Sequence, residues 1–272
     1  MSTDSIFRHD AMMTTFSIRI ANEGHAEAAG AAGDCFEYLD YLESKLSRFL
    51  EGSDIWQINH MKSGESLNIS EDCYNCLRLA AQAFADTGGL FDITLGTHIQ
   101  HVKEEKSGPP PVLSGQISID PDKTAVHCIQ AGRELDLGGI GKGFALDRIK
   151  ERLQDWGMQS ALLSAGASTF LAFGERHWPI ELRGDKQVRC IDLKDGALSA
   201  SGTGVQGSHI VSTIDPGTKL SFKRIWITHD TAASADAWST ALMMYPQEEL
   251  GRVKRESSRV FAEHADGSIQ VF

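Results

Sequence analysis

Two stretches of this chain set chemically capable residues at meaningful spacings. Leu135-Asp136-Leu137-Gly138-Gly139-Ile140-Gly141-Lys142-Gly143-Phe144 reads as an apolar strand end, a glycine-rich turn and a helix start. Glycines let backbone groups approach a ligand closely, and a helix N-terminus favours an anion. Lys142 adds a point charge suited to a phosphate. The pattern is neither the dinucleotide fingerprint GxGxxG with a downstream acid nor the P-loop GxxxxGK followed by Ser or Thr. By physics alone, such a helix entry serves packing as readily as ligand binding.

Near the C-terminus, Asp236 and Thr240 stand at i and i+4 within Ala235-Asp236-Ala237-Trp238-Ser239-Thr240-Ala241-Leu242. On a helix they share one face. A carboxylate plus a hydroxyl suits Mg2+, which keeps waters and takes few protein ligands. An ordinary helix start carrying a routine Asp satisfies the same pattern. Phe91-Asp92-Ile93-Thr94-Leu95-Gly96 places an acid inside an apolar, strand-like run. A buried Asp must be paired or hydrogen-bonded, so Asp92 either forms a turn or contacts a ligand.

The elements that must position these residues follow from periodicity. Residues 12–20 read as a strand, rich in Thr, Ile and Phe. Residues 24–48 carry apolar side chains at helical spacing, and a second helix is predicted over 70–87, opening at Ser70 with Glu71 and Asp72 in its first turn. The segment 103–115 holds Pro109, Pro110 and Pro111, which forbid regular pairing, and is predicted to be a surface excursion. A helix over 142–156, strands at 159–164, 178–183 and 188–193, and a last helix near 234–245 complete the pattern. Strands and helices interleave without a βαβ rhythm, which predicts an α+β fold: one domain of mixed sheets with packed helices over 12–272, preceded by a tail at 1–11.

The 272 residues are 41% hydrophobic and 23% charged, as in ordinary globular proteins. The net charge of −11 argues against nucleic-acid binding, which needs dense Lys and Arg, but leaves room for a phosphate-bearing small molecule. No stretch reaches the roughly 18 apolar residues of a membrane span, and residues 1–11 lack an apolar signal region. The chain as written reads as cytoplasmic, and a periplasmic form trimmed of its leader would read the same. Cys73 and Cys76 lack a second CxxC and continue into a helical run, so they read as reduced cysteines on a helix rather than half a zinc site. His98 and His101 have no partner carboxylate at metal spacing, and they and His229 read as solvent-exposed or structural, while Trp178, Trp226 and Trp238 read as core.

Taken in order, MMTT (12–15), LSRF (46–49) with the following Ser53, Asp54 and Asn59, FDITLG (91–96), LDLGGIGKGFALD (135–147), ALLSAGAS (161–168), SG (201–202), IDP (214–216) and ADAWSTAL (235–242) resemble the FAD:protein FMN transferase (ApbE-like) family. The resemblance runs from about residue 12 to 245. It implies a T-fold-related architecture and a cleft in which the FAD pyrophosphate meets Mg2+. By resemblance, Asp236, the Thr240 hydroxyl and the Gly139 carbonyl ligate the metal. Met12, Phe49, Leu90, Phe91, Asp92, Asp136 and Lys142 would contact FAD, and His209 would be the base. The implied partner is a target flavoprotein whose threonine receives FMN as AMP departs.

The chain departs from the family pattern at three places. Members usually read MGT where this chain has Met12-Met13-Thr14, and NAGGD where it has Ser164-Ala165-Gly166-Ala167-Ser168. The family's HIIDPRTG corresponds to His209-Ile210-Val211-Ser212-Thr213-Ile214-Asp215-Pro216-Gly217-Thr218. In ungapped register Ser212 stands at the histidine position and Gly217 at the arginine. Either a three-residue insertion keeps His209 in the site, or the base is lost, since a hydroxyl cannot replace imidazole near neutral pH. Three functions are therefore compatible with the residues: an FMN transferase; a flavin-binding relative acting as carrier, regulator or assembly factor; and a Mg-dependent FAD pyrophosphatase giving FMN and AMP.

Overall fold

Alternation of buried and half-exposed residues along Thr14–Ile20 (β2) puts Phe16, Ile18 and Ile20 on one face, each essentially without solvent contact. That face belongs to an antiparallel sheet around which the chain is built. The computed structural model describes residues 4–104, 106, 108–202, 220, 222–252 and 258–272. In chain order its elements begin with Ser5–Ala11 (β1), β2, His25–Leu46 (α1), Asp54–Asn59 (α2), Ser66–Asn68 (β3) and Glu71–Asp86 (α3). Gly96–Lys103 (α4), Gln116–Ile119 (β4), Ala125–Gln130 (β5) and Gly141–Asp155 (α5) follow. Then come Ala161–Ala165 (β6), Thr169–Phe173 (β7), Trp178–Arg183 (β8), Val188–Leu193 (β9) and Gly196–Gly202 (β10). Arg224–His229 (β11), Ala232–Leu242 (α6), a 3-10 segment Gln247–Arg252, Val260–Glu263 (β12) and Ile269–Val271 (β13) complete the chain.

Eight strands pair in the order β1-β2-β6-β7-β10-β11-β12-β13, all antiparallel. Small sheets β3-β5-β4 and β8-β9 stand apart from it. Helices α1, α5 and α6 cover one face of the large sheet, where Leu39, Leu42, Phe144 and Ile149 join Phe16 and Ile18 in the main core. The β8–β9 hairpin covers the other face, packing Trp178, Ile180 and Leu182 against Leu198, Trp226 and Phe261. The fold is α+β, with mixed sheets and packed helices.

Several elements differ from the sequence pattern, each for a local reason. Residues 5–11, read as a tail, form edge strand β1. Its apolar signal is weak because only Ser5 and Ala11 are buried, and backbone pairing to β2 holds it. The run at 91–96 is not a strand: the Asp92 carboxylate accepts the Thr94 amide at 2.8 Å, turning the chain into α4. The last helix starts at Ala232 rather than near 234 because the Thr231 hydroxyl caps its first turn. Ser70 caps α3, its hydroxyl accepting the Cys73 amide. The proline-rich excursion is tied back by His98, whose Nε2 lies 2.6 Å from the Pro111 carbonyl. Cys73 and Cys76 lie buried on α3, and burial pushes both thiols well above their usual range, which leaves them inert.

Strands β1 and β2 meet through the two-residue turn Met12-Met13, with φ of 49° and 58°. Both residues occupy the left-handed region that a type I′ hairpin demands and that favours glycine. Met13 is 91% exposed, so no packing offsets that strain. Met13→Gly should raise stability by about 1 kcal/mol, roughly 2–4 °C in Tm. A calorimetric scan showing no gain would mean that the turn holds no strain.

Candidate functional site

The glycine loop is held from three directions. Asp136 accepts the Gly138 amide on Oδ1 at 2.8 Å, closing the turn, and its Oδ2 lies 3.0 Å from Arg48 Nη1. Arg48 also donates to the Gly96 carbonyl and to Glu134, tying the end of α1 to the start of α4 and to the loop. Asn59 brackets Leu135 from below, donating to its carbonyl at 3.0 Å and accepting its amide at 2.7 Å, as a neighbouring strand would. The amide of Asp136 donates to Ile93 O, which couples the loop to the Asp92 turn. Lys142 folds back so that its ammonium donates to Gly138 O at 2.9 Å.

Beyond the loop, α5 meets α6 at backbone distance. A Cβ on Gly143 would lie 2.2 Å from the Ala232 carbonyl oxygen, so only glycine permits the approach. The contact is reciprocal. Asp147 on α5 accepts the amides of Ala232 and Ala233 at 2.8 and 2.9 Å, capping α6, while Asp236 on α6 accepts the Gly143 amide at 3.2 Å. Asp236 is 4% exposed, and its other oxygen accepts from the Ser199 hydroxyl at 3.2 Å. Thr240 lies one turn on, its hydroxyl 3.3 Å from that of Ser201. A Cβ on Gly139 would meet the Thr240 hydroxyl at 3.2 Å and the Phe91 ring at 3.0 Å, so the loop and α6 converge there.

These groups open into a cavity of about 750 Å3. Leu90, Phe91, Asp92, Asp136, Gly139, Lys142, Asp236 and Thr240 all line it, as the sequence motifs require of a common site. Asp92 both forms the turn and faces the cavity. Met12 and Phe49 do not line it. The Met12 amide is tethered to Glu43 at the hairpin turn, and Phe49 stands 59% exposed beside the Arg48 guanidinium. His209 and Ser212, the two candidates for the base position, lie outside the described residues. Sequence reasoning overlooked Arg48 and Ser199. Arg48 sits within LSRF, but nothing local reveals contacts reaching 86 and 88 positions downstream.

Among the described residues, no three His, Cys, Asp or Glu cluster at metal-binding distances. The donors here are of another kind: one buried carboxylate, the Thr240 hydroxyl and the Gly139 backbone. Asp236 is an acid with neutral donors and no ion pair among the described residues, and burying such a charge is costly without a cation. Oxygen donors around one carboxylate fit Mg2+, which completes its shell with water and ligand phosphates.

The ApbE family profile matches residues 12–262. The chain belongs to the ApbE family. Curated relatives bear the name FAD:protein FMN transferase, two of them being those of Klebsiella pneumoniae and Treponema pallidum. That of Klebsiella pneumoniae is 23% identical over 94% of this chain and 82% of its own length. That of Treponema pallidum is 25% identical over 89% of this chain and 77% of its own. The crystal structure of the apo flavinyl transferase ApbE of Pseudomonas stutzeri superposes with a TM-score of 0.84, covering 99% of this chain and 94% of that one at 21% identity. The architecture is thus the ApbE fold.

Two predictions concern the α5–α6 contact of this ApbE chain. Gly143→Ala should cost about 3 kcal/mol, because backbone rather than a movable side chain occupies the space. Gly33→Ala on α1, with nothing within 4 Å, serves as control and should leave the urea midpoint unchanged or raise it. Equal midpoint shifts for the two would show that the helices part without cost. The second prediction is a pH dependence. Desolvation by burial raises the Asp147 pKa to about 6, against the pull of the Ala233 and Ala232 amides and of Lys150 and Arg148. A raised carboxyl favours the folded state when protonated and loses that contribution as pH climbs through about 6. The stability of the wild type relative to Asp147→Asn should therefore increase as pH falls from about 7 to 4. Parallel urea midpoints across that range would refute the shift.

Proposed function

We propose that this chain is an FAD:protein FMN transferase, moving FMN from FAD to a threonine hydroxyl of a target flavoprotein with release of AMP. The observation that supports it best is the convergence of Gly139, Asp236 and Thr240 at one cavity wall, beside Asp136 and Lys142, in a chain of the ApbE family. Bound there, Mg2+ would neutralise and orient the FAD pyrophosphate. Asp236 and the Thr240 hydroxyl would hold the metal, with the Gly139 carbonyl completing the protein share. Lys142 would face a phosphate oxygen once it exchanged its bond to Gly138 O for the ligand. Asp136 keeps the loop closed, and its ion pair with Arg48, which Glu134 shares, offsets part of its negative charge beside the phosphates.

In the transfer, the threonine oxygen forms a bond to the FMN phosphorus as the bond to the AMP oxygen breaks. The hydroxyl proton passes to a base, for which His209 is the candidate. With water in place of the hydroxyl, the same displacement gives FMN and AMP. The described part of the chain has no helix long and apolar enough to cross a membrane.

The test is direct. Protein supplied with FAD, Mg2+ and a threonine-bearing flavoprotein acceptor should release AMP and leave flavin covalently on the acceptor. Asp236→Ala should reduce the rate at least about 10²-fold by removing the metal's charged ligand. AMP without covalent flavin would instead identify a pyrophosphatase. FAD binding without AMP would identify a carrier, and absence of FAD binding would refute all three.

A further inference from the structure

The cavity has a second wall, on the β8–β9 side of the large sheet, that none of the motifs accounts for. It is formed by Phe170, Ile180, Trp226 and the guanidinium of Arg224. Arg224 begins β11 and pairs across the sheet with Glu263 of β12. The Glu263 carboxylate has no solvent exposure, and its Oε2 lies 3.6 Å from Arg224 Nη1 with no hydrogen-bond partner. Its Oε1 accepts the Asp185 amide. A Cβ on Gly184 would come within 2.8 Å of that oxygen, so the corner after β8 is shaped around the acid. A wholly buried carboxylate is expensive to maintain, and its salt-bridge partner here is the Arg224 guanidinium.

Arg224 is held on every side but one. Its Cζ lies 5.5 Å from the Trp226 ring centroid, Nη1 donates to the Arg183 carbonyl, and Gly202 leaves room for its stem. Among the described residues, Nε and Nη2 have no hydrogen-bond partner. A guanidinium over an aromatic ring leaves its second face for another planar group, and its edge donors suit carbonyl oxygens. Between the rings of FAD, isoalloxazine carries two carbonyls and adenine none. The metal-binding wall already suits the phosphates. Given the proposed function, we infer that Arg224, aimed by Glu263, binds the isoalloxazine ring of FAD and so distinguishes the flavin end of the dinucleotide from the adenine end.

Fluorescence titration with FAD in the presence of Mg2+, with riboflavin and AMP as competitors, tests this. In Arg224→Met the FAD Kd should rise roughly tenfold, as expected for loss of charged hydrogen bonds. Riboflavin should weaken by a similar factor while AMP is unchanged. Arg224→Lys keeps the charge without the plane and should recover little. Glu263→Gln should raise the FAD Kd by a smaller factor. If Arg224→Met does not fold, because it strands the buried Glu263, the neutral pair Arg224→Met with Glu263→Gln replaces it and should show the same loss. An ion pair that only stabilises the sheet would lower Tm and leave every Kd unchanged, which overturns the inference alone. Weakened AMP with unchanged riboflavin would overturn it in favour of adenine. A wild-type protein that fails to bind FAD removes the proposed function itself.

Discussion

The candidate site depends on the contact between the first turns of α5 and α6. One glycine, Gly143, lets a helix backbone approach the Ala232 carbonyl more closely than any side chain allows. Two carboxylates then cross the gap in opposite directions, Asp147 to the amides of α6 and Asp236 to the amide of Gly143. The two acids differ in their bonding: Asp147 spends both oxygens on backbone amides, while Asp236 keeps only weak neutral donors. The first serves as a clamp, and the second remains available to a cation. Because α5 also carries the glycine loop at its N-terminus, closing this contact brings Gly139 toward Thr240, while Asp136, Arg48 and Asn59 fix the loop itself.

The helices were legible where the physics is local. The ends of α3 follow from Ser70 and an apolar stripe, and α1 and α5 from 3.6-residue periodicity. Strands β7 and β10 to β13 were not legible. Strand β10 reads Gly-Ala-Leu-Ser-Ala-Ser-Gly, a composition typical of loops, yet it lies in the middle of the large sheet. Its residues are small because α6 presses on one face, and only the tertiary partner explains that. Gly139, Asp236 and Thr240, singled out by the order of motifs, line one cavity, whereas Arg48 and Asn59 act on residues far along the chain and leave no periodic trace. Met12 and Phe49 show the converse limit, since a motif match carries a residue to the neighbourhood of a site but does not turn its side chain into the cavity.

The acidic balance of the chain does not oppose an anionic ligand at this place. Net charge governs long-range attraction and solubility, whereas a site responds to the groups within a few ångströms. Of the acids on the cavity wall, Asp136 shares Arg48 with Glu134, Glu181 is paired with Arg183, and Asp92 and Asp236 have no ion pair among the described residues. Lys142 and Arg224 bring positive charge to the cavity from its two walls. A pyrophosphate therefore meets local donors inside a protein that is negative as a whole.

The site lies at a strand end for a geometric reason. Alternation sends Ser199 and Ser201 of β10 toward α6, where they meet Asp236 and Thr240. It sends Ala200 to the opposite face, where it pairs with Trp226 in the apolar cluster under the β8–β9 hairpin. One strand thus supplies hydroxyls to one layer and a flat apolar surface to the other. Within the sheet those layers are separated by backbone, and no small ligand could touch both. The cavity is lined by residues of both layers, Asp236 and Thr240 from one and Phe170, Ile180 and Trp226 from the other. A ligand charged at its middle and planar at its end would find oxygen donors on one side and a flat apolar surface on the other.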